Sequence, residues 1–437
     1  MLPMSDTQTF EQAQLEDVLH EVVETLAPIE RAPCSPGERQ AAEWLGARLH
    51  DIDGVEVELE DEPSWGTFPP TATALGLLGM SGAALVLRGR RAAGAALAAC
   101  AYAGIVDEAQ NGPRVVRRLL RRRRRTVNVV ARIEHPARST SAGVPGPAGD
   151  GRSPRPARPT LVVLAHHDAP QTGLLFDQSL QRRIHELAPA LLERYRTPPP
   201  QWWMGLAGPL CTLAGALSGR RRLAGAALAV GALGTAAVAD IWRNDTVQGA
   251  NDNLSGVAAL VGLAELFAAR PVDGLRVLLV SCGAEETLQD GIRAFVARHR
   301  DELDTDSTWF VNLDTVGSPH LLMLDAEGPV WMERYTGPWL GELLADHAAR
   351  LGTELHRGFR ARASTDSIIP SRAGYPTATL VSMTDWRSPA NYHLPSDVPA
   401  NLVYESVAAA TRLVESLARD LAEAPHPRPP GGGPMRS

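Results

Sequence analysis

Hydrophobic and polar positions along the chain fall into alternating blocks that predict strands and helices. Continuous apolar runs, typical of strands buried in a parallel sheet, lie at 160–165, 275–281, 308–314 and 377–383. Segments with helical spacing lie at 9–50, 254–269, 290–300, 337–351 and 400–422, and further strand patterns at 55–60 and 127–133. This alternation predicts an α/β fold with a mixed, largely parallel central sheet flanked by helices.

Four uncharged runs interrupt this pattern. They cover 66–87, 92–106, 197–219 and 223–239, and they are joined in pairs by "RGRR" and "RRR". Each run is near the length of a membrane-spanning helix, so the two pairs predict two inserted apolar helical hairpins. One interpretation is membrane association, favoured by tryptophans at the hairpin ends nearest the α/β segments: Trp65, Trp202, Trp203 and Trp242. The other is a pair of buried hairpins in a soluble protein.

The expected organisation is one α/β domain with two insertions. Its parts are 1–65, the first hairpin 66–107, 108–197 with a disordered loop at 134–159, the second hairpin 198–242, 243–423, and a disordered tail at 424–437.

Arginine counts predict an orientation in a membrane. Each hairpin returns to its starting side, so the whole α/β domain lies on one side. Eleven arginines flank the hairpins there, against six in the two tips, which favours a cytoplasmic α/β domain. The run 121–125 is a candidate for anionic lipid headgroups, with nucleic acid as the rival interpretation.

Composition excludes several kinds of chemistry. All 43 basic residues are arginine, which rules out a Schiff-base lysine and a phosphate-loop lysine. The net charge of −7 argues against nucleic acid as a partner. The four cysteines are scattered and predict reduced, buried thiols without a disulfide or a zinc knuckle.

Candidate chemistry follows the predicted strands. "HHD" (166–168) ends the strand at 160–165, "GANDN" (249–253) precedes a helix, and Glu285 and Glu286 follow the strand at 275–281. "NLDTVG" and "NYHLPSD" supply Asp314 and His393 in the same way. Sites in open α/β sheets gather at the carboxyl ends of strands, and imidazole and carboxylate are zinc ligands. Taken singly, each residue is also compatible with a helix cap or a structural role.

Together these motifs resemble the co-catalytic zinc exopeptidases, the family that includes aminopeptidase Y, bacterial leucyl aminopeptidase and glutamate carboxypeptidase. The resemblance rests on "AHHD", "GANDNLSG", "GAEET", "NLDTVG" and "YHLPSD" in this order, and it covers roughly 10–60, 126–170 and 245–422. The sequence departs from the family pattern at Asn253 and in "STDSIIPSRAGYP", where many members have a histidine after the aspartate.

The resemblance implies a role for each residue. It implies two zinc ions, one held by His166 and Asp314 and the other by Glu286 and His393, with Asp252 between them. Glu285 is the implied general base, and Asp168 is expected to hold the imidazole of His166.

The second hairpin lies between His166 and Asp252, so we expect it to form a rim or lid that favours hydrophobic or membrane-borne peptides.

Three functions remain open at this point. The first is a membrane-associated zinc aminopeptidase acting on peptides. The second is a zinc-dependent amide hydrolase or glutaminyl cyclase on the same scaffold, although such cyclases use one zinc. The third is a catalytically silent membrane scaffold, which would be expected to lose a ligand or Glu285. Oligomeric state, native metal and side-chain preference do not follow from the sequence.

Overall fold

The computed structural model of the chain describes residues 6–134, 158–194, 196–197 and 202–423. The predicted tail at 424–437 and nearly all of the predicted loop at 134–159 lie outside them. The described helices are α1 Asp6–Leu26, α2 Pro36–His50, α3 Pro69–Leu87, α4 Arg91–Ala109, α5 Val115–Leu120, α6 Ser179–Leu187, α7 Pro189–Glu193, α8 Trp203–Ser218, α9 Arg221–Arg243, α10 Ser255–Ala269, α11 Asp290–Arg298, α12 Trp339–Leu351, α13 Ile368–Arg372 and α14 Tyr404–Glu423. The described strands are β1 Val55–Ser64, β2 Arg124–Glu134, β3 Thr160–His166, β4 Arg276–Cys282, β5 Thr308–Leu313, β6 His320–Glu327, β7 Glu333–Arg334, β8 His356–Ala361 and β9 Thr377–Met383.

The strands form one mixed sheet in the order β1-β2-β4-β3-β5-β9-β6-β7, with β8 beside β6. Strands β4, β3, β5 and β9 are parallel neighbours at its centre. Antiparallel strands β1 and β2 extend one edge, and β6 and β7 extend the other. The predicted fold class is confirmed. Strands β6, β7 and β8 have no counterpart in the sequence-based prediction; β7 is two residues long and β8, "HRGFRA", has no apolar run.

Helices cover both faces of the central strands. Side chains alternate along β3, so that Leu161 and Val163 face the layer of α1, α10 and α14, whereas Val162 and Leu164 face α11 and α13. Strands buried on both faces need apolar residues at every position. This double burial explains the continuous apolar runs in the sequence.

The four uncharged runs form α3, α4, α8 and α9, which pack against one another as a four-helix bundle. Small residues allow close approach between the helices. A side chain at Gly82 would collide with the carbonyl oxygen of Gly94, 2.7 Å from the position of its Cβ. At the far end of the bundle, the Arg91 guanidinium donates to the carbonyl oxygens of Ala216 and Leu217, at 2.6 and 2.9 Å. The two hairpin tips are therefore joined.

Three of these helices, α3, α4 and α9, are long and apolar enough to cross a membrane, whereas α8 has 16 residues and is shorter. Only 22% of the apolar segment of α9 is buried. Cys100 on α4 is exposed, so the predicted burial of this cysteine is wrong. Residues 250–269 pass the same test of length and composition, but 83% of that segment is buried. Packing against the sheet explains the apolar character of α10 without a membrane.

Candidate metal centre

The sheet brings the predicted site residues together at the carboxyl ends of its central strands. His166 ends β3, Glu285 and Glu286 follow β4, and Asp314 follows β5, so three adjacent parallel strands deliver these side chains to the same end. Asp252 lies in the turn before α10, and His393 lies in the loop after β9. Five of these six residues are buried, and Glu286 is 12% exposed.

Among the described residues, three groups of three side chains could each hold a metal ion: His166, Glu285 and Glu286 form one of them, and the other two are triads that share Asp252. One of these two triads comprises His166, Asp252 and Asp314, and the other comprises Asp252, Glu286 and His393; in each, one nitrogen or oxygen from every residue lies within 4.8 Å of the others. His166 Nε2 is 3.3 Å from Asp252 Oδ1, and His393 Nε2 is 3.1 Å from Asp252 Oδ2. Glu285 stands beside them, with Oε2 3.9 Å from His166 Nε2.

Asp168 contacts more of the site than the sequence predicts. Its carboxylate accepts hydrogen bonds from the backbone N–H groups of Glu285 and Glu286, both at 3.0 Å. His166 Nδ1 lies 3.2 Å from the backbone oxygen of Asp168 and 3.5 Å from Oδ1. One buried carboxylate therefore positions both glutamates as well as facing the imidazole.

A second carboxylate supports Asp252 in the same way. Asp397, the last residue of "NYHLPSD", accepts from the N–H groups of Asn251 and Asp252 at 2.7 and 3.1 Å. The Asp252–Asn253 peptide bond is cis. Asn253 points away from the triads: its amide donates to the Leu313 carbonyl at 2.9 Å, and its Oδ1 accepts from Gly256 N at 3.1 Å. Asparagine at this position is thus compatible with an intact site.

The site holds more negative charge than its imidazoles can balance. Burial raises the pKa of Glu285 and of Glu286 well above the usual range, and it raises the pKa of Asp314 to about 7. Burial acts in the same direction on Asp252, but its close contacts with the His166 and His393 imidazoles outweigh burial and lower its pKa. Such a concentration of buried carboxylates is the environment that a bound cation stabilises.

The donor set fits zinc. Zinc takes imidazole nitrogen and carboxylate oxygen, and the two triads offer only these. Asp252 Oδ2 is buried and receives no hydrogen bond from the described residues, although it faces His393. A buried carboxylate oxygen without a donor is unfavourable unless a cation meets it.

Four further residues at the site had no role in the sequence-based prediction. Gln289, four residues after Glu285, donates from Nε2 to Glu285 Oε1 at 2.5 Å and to the Ser364 carbonyl at 2.8 Å. Arg31 is fully buried and donates to the carbonyl oxygens of His167 and Gln248. Asp397 is the last residue of the motif "NYHLPSD", but the sequence-based prediction gave it no role. Asp366, in the divergent "STDS" segment, is 1% exposed, and burial raises its pKa to about 7.

Comparison with known proteins identifies the domain. The profile of Peptidase family M28 matches residues 233–418, a range that contains Asp252, Glu285, Glu286, Asp314 and His393. Residues 233–418, a little less than half of the chain, match a peptidase family M28 domain. The prediction of a co-catalytic zinc exopeptidase family and of a zinc metallopeptidase is thereby confirmed. His166 and Asp168 precede the matched range, and the fold brings them to the M28 site.

Solved structures share the fold at low sequence identity. The aminopeptidase from Aneurinibacillus sp. strain AM-1 is 14% identical, with a TM-score of 0.51 over 97% of this chain and 96% of that one. LapB from Legionella pneumophila is 12% identical, with a TM-score of 0.51 over 96% and 76%. A glutaminyl cyclase from Bacteroides thetaiotaomicron, bound to N-acetylhistamine, is 12% identical, with a TM-score of 0.50 over 93% and 97%. A comparison with curated proteins finds no match.

Proposed function

We propose that this M28 protein is a membrane-associated aminopeptidase that hydrolyses the N-terminal residue of peptides at a site for two zinc ions. The observation that carries the proposal is the pair of triads sharing Asp252, with Glu285 beside them. The aminopeptidase from Aneurinibacillus, which shares the fold, supports the choice of substrate end.

The residues divide into ligands and a base. His166 and Asp314 would hold one zinc, Glu286 and His393 the other, and Asp252 would contact both. When bound, such a pair polarises the scissile carbonyl and lowers the pKa of water.

The chain's own groups handle the proton. Glu285 belongs to a third group with His166 and Glu286, but to neither triad that shares Asp252. With the zinc ions held by those two triads, its carboxylate would take a proton from water and return it to the leaving amine. Burial raises the pKa of Glu285, which is the direction that makes a carboxylate a better proton acceptor. Gln289 and Asp168 hold its carboxylate and its backbone in place.

The exposed surface of the bundle supports membrane association. Leu77, Leu217 and Leu233 are 53%, 80% and 63% exposed on α3, α8 and α9, and large contiguous apolar surfaces mark membrane or partner contacts. Trp203 and Trp242 are about half exposed at the end of the bundle nearest the sheet. Of the arginines counted for the cytoplasmic side, Arg114 and Arg117 are buried in ion pairs. Nine then remain against six, which still favours a cytoplasmic peptidase domain.

The deciding experiment compares two neighbouring substitutions in the purified full chain. Glu285→Gln should keep about two zinc per chain and lose roughly 10²–10⁴ in kcat on aminoacyl-amides. Glu286→Gln should weaken zinc binding, because it removes a ligand. Two results would contradict the proposal: a folded, zinc-supplemented wild-type protein without metal, or an active Glu285→Gln variant.

The glutaminyl cyclase that shares the fold supports one alternative function, the cyclisation of N-terminal glutamine. A cyclase would release ammonia from an N-terminal glutaminyl peptide without shortening the chain. Mass spectrometry of glutaminyl peptides after incubation separates this loss of ammonia from the loss of a residue.

A further inference from the structure

A cavity of about 110 Å³ runs from the candidate metal centre into the helical bundle. Glu285, Glu286 and His393 lie at its mouth, and no other charged side chain lines it among the described residues. Its walls come from α3, α4, α8 and α9, and they include Ala72, Gly79, Gly205, Gly208, Gly231 and Gly234.

The length and the chemistry of this cavity restrict its occupant. Lining residues on α9 extend from Ile241 near the mouth to Ala227, which is about 21 Å along the helix axis. One amino-acid side chain is far shorter. A peptide of that length would have about six residues and would bury amide groups among apolar walls whose backbone is already paired within helices. Unpaired buried amides are costly, so an aliphatic chain fits and a peptide does not.

A second cavity, of about 330 Å³, meets the first at the catalytic glutamates. The two share Leu175, Met204 and Tyr392 as well as Glu285 and Glu286. The metal centre therefore lies at the junction of two cavities, one with apolar walls and one whose walls include arginines.

Apart from the residues of the metal centre, the charged side chains that line the second cavity are all positive. Arg360, Arg362 and Arg387 line it, and none of them makes an ion pair with a carboxylate in the described part of the chain. The Arg387 guanidinium lies over the Phe359 ring at 5.3 Å, and its Nε is buried without a hydrogen-bond acceptor. A guanidinium in this state is suited to a carboxylate.

We propose that the substrate is an amide that joins a long aliphatic acyl chain, lying in the bundle, to an amino acid whose carboxylate faces Arg387. This inference rests on the proposed amide hydrolysis at the same site, but it requires no free amine. Hydrolysis breaks the acyl carbon–nitrogen bond and forms a carbon–oxygen bond with water. The water protons pass through Glu285 to the leaving nitrogen, and the products are a fatty acid and an amino acid.

The test uses the zinc-loaded full chain in lipid nanodiscs with N-acetyl-, N-hexanoyl- and N-decanoyl-alanine, alongside alanyl-alanine. We expect kcat/KM to rise about three- to fourfold for each added methylene until the cavity is full. The methyl ester of N-decanoyl-alanine should be a poorer substrate than the acid, and Arg387→Gln should abolish that difference.

Two glycine substitutions test whether the acyl chain of the substrate lies in the bundle. A Cβ at Gly205 would meet only Ile105, at 3.8 Å, so Gly205→Leu places a side chain in the cavity. Gly225→Leu is the matched control, because Gly225 is exposed on α9 and its Cβ would meet nothing within 4 Å. The ratio of decanoyl to acetyl kcat/KM should fall at least tenfold in Gly205→Leu and stay unchanged in Gly225→Leu.

A binding measurement separates this inference from the proposed function. N-decanoyl-alanine should displace fluorescent 11-(dansylamino)undecanoic acid from the wild type, and Gly205→Leu should weaken the displacement. Cleavage of alanyl-alanine without cleavage of acyl-alanines or displacement of the probe would overturn the inference and leave the peptidase proposal standing. Displacement that depends on Gly205, without cleavage of any amide, would support the ligand class and contradict the proposed hydrolysis.

Discussion

At the residue scale, the site is organised by side chains that do not belong to either triad. Asp168 accepts the backbone N–H groups of Glu285 and Glu286. Asp397 accepts those of Asn251 and Asp252. Carboxylates that orient ligands in this way are typically worth 10–100-fold in metal affinity or activity. The sequence offers these aspartates only as members of motifs, because their partners are backbone groups more than a hundred residues away.

Gln289 is predicted to position the base. Gln289→Met removes the hydrogen bond to Glu285 Oε1, so we expect kcat to fall about tenfold, in line with a hydrogen bond to a charged group. KM and zinc content should be retained, because Gln289 belongs to neither triad. Steady-state kinetics with metal analysis check this. Gln40→Met, on the exposed face of α2, is the control, and an unchanged kcat in Gln289→Met would refute the role.

At the element scale, buried ion pairs join the bundle to the peptidase domain. Arg117 on α5 forms an ion pair with Glu108 at the end of α4 and also donates to the carbonyl oxygen of Thr287, next to Glu286. Arg114 forms a second buried ion pair, with Asp290 at the start of α11. The end of the first hairpin is thus tied directly to the turn that carries both glutamates.

Breaking one of these pairs should destabilise the whole protein. Glu108→Gln leaves the Arg117 guanidinium buried without a counter-charge, which costs about 3–5 kcal/mol. We expect a clear drop in the thermal midpoint in detergent. Glu56→Gln, at an exposed position of β1, should change the midpoint little, and equal midpoints for the two variants would contradict the prediction.

Hydrogen bonds between His299, which directly follows α11, and Glu60 on β1 should make stability depend on pH. Burial acts to lower the pKa of His299, but hydrogen bonds to Glu60 at 2.7 Å and Glu302 at 2.9 Å outweigh it and raise the pKa. A raised pKa means that the folded state binds the proton more tightly than the unfolded chain. Its contribution is therefore complete below the unfolded pKa of about 6.5 and is lost as pH rises through the folded pKa.

The loss should be on the order of 1–2 kcal/mol for charge-assisted hydrogen bonds of this kind. Denaturation of the wild type and of His299→Gln at several pH values would reveal it. The difference in free energy of unfolding between them should shrink as pH rises above neutrality; a constant difference would show that the imidazole charge is not involved.

At the scale of the whole molecule, the bundle and the sheet have different surroundings. The sheet is covered on both faces by helices, whereas the bundle leaves large side chains such as Leu77 and Leu233 exposed. Exposed apolar side chains on uncharged helices are typical of surfaces that contact a membrane or a partner. In line with the proposed membrane association, we expect lipid to cover this surface.

The full chain should float with phospholipid vesicles in a density gradient. Leu77→Asp combined with Leu233→Asp should reduce flotation, because aspartate at the centre of a spanning helix costs about 2.5–3.5 kcal/mol. Leu351→Asp, at an exposed position on α12 of the peptidase domain, should float like the wild type. Full flotation of the double variant would show that the bundle does not enter the lipid.

The sequence by itself determined the alternation of strands and helices, the order of the ligand motifs and the positions of the four apolar runs, because these depend on periodicity and residue type within short windows. Tertiary structure decided which distant side chains meet. Strand order brings His166 and Asp314 to the shared Asp252, and packing on the sheet buries 250–269, whose composition alone resembles that of a membrane helix. Gln289, Asp366 and the cavity between the hairpins belong to this second group. Their roles depend on three-dimensional distances and enclosed volume, which a linear pattern does not encode.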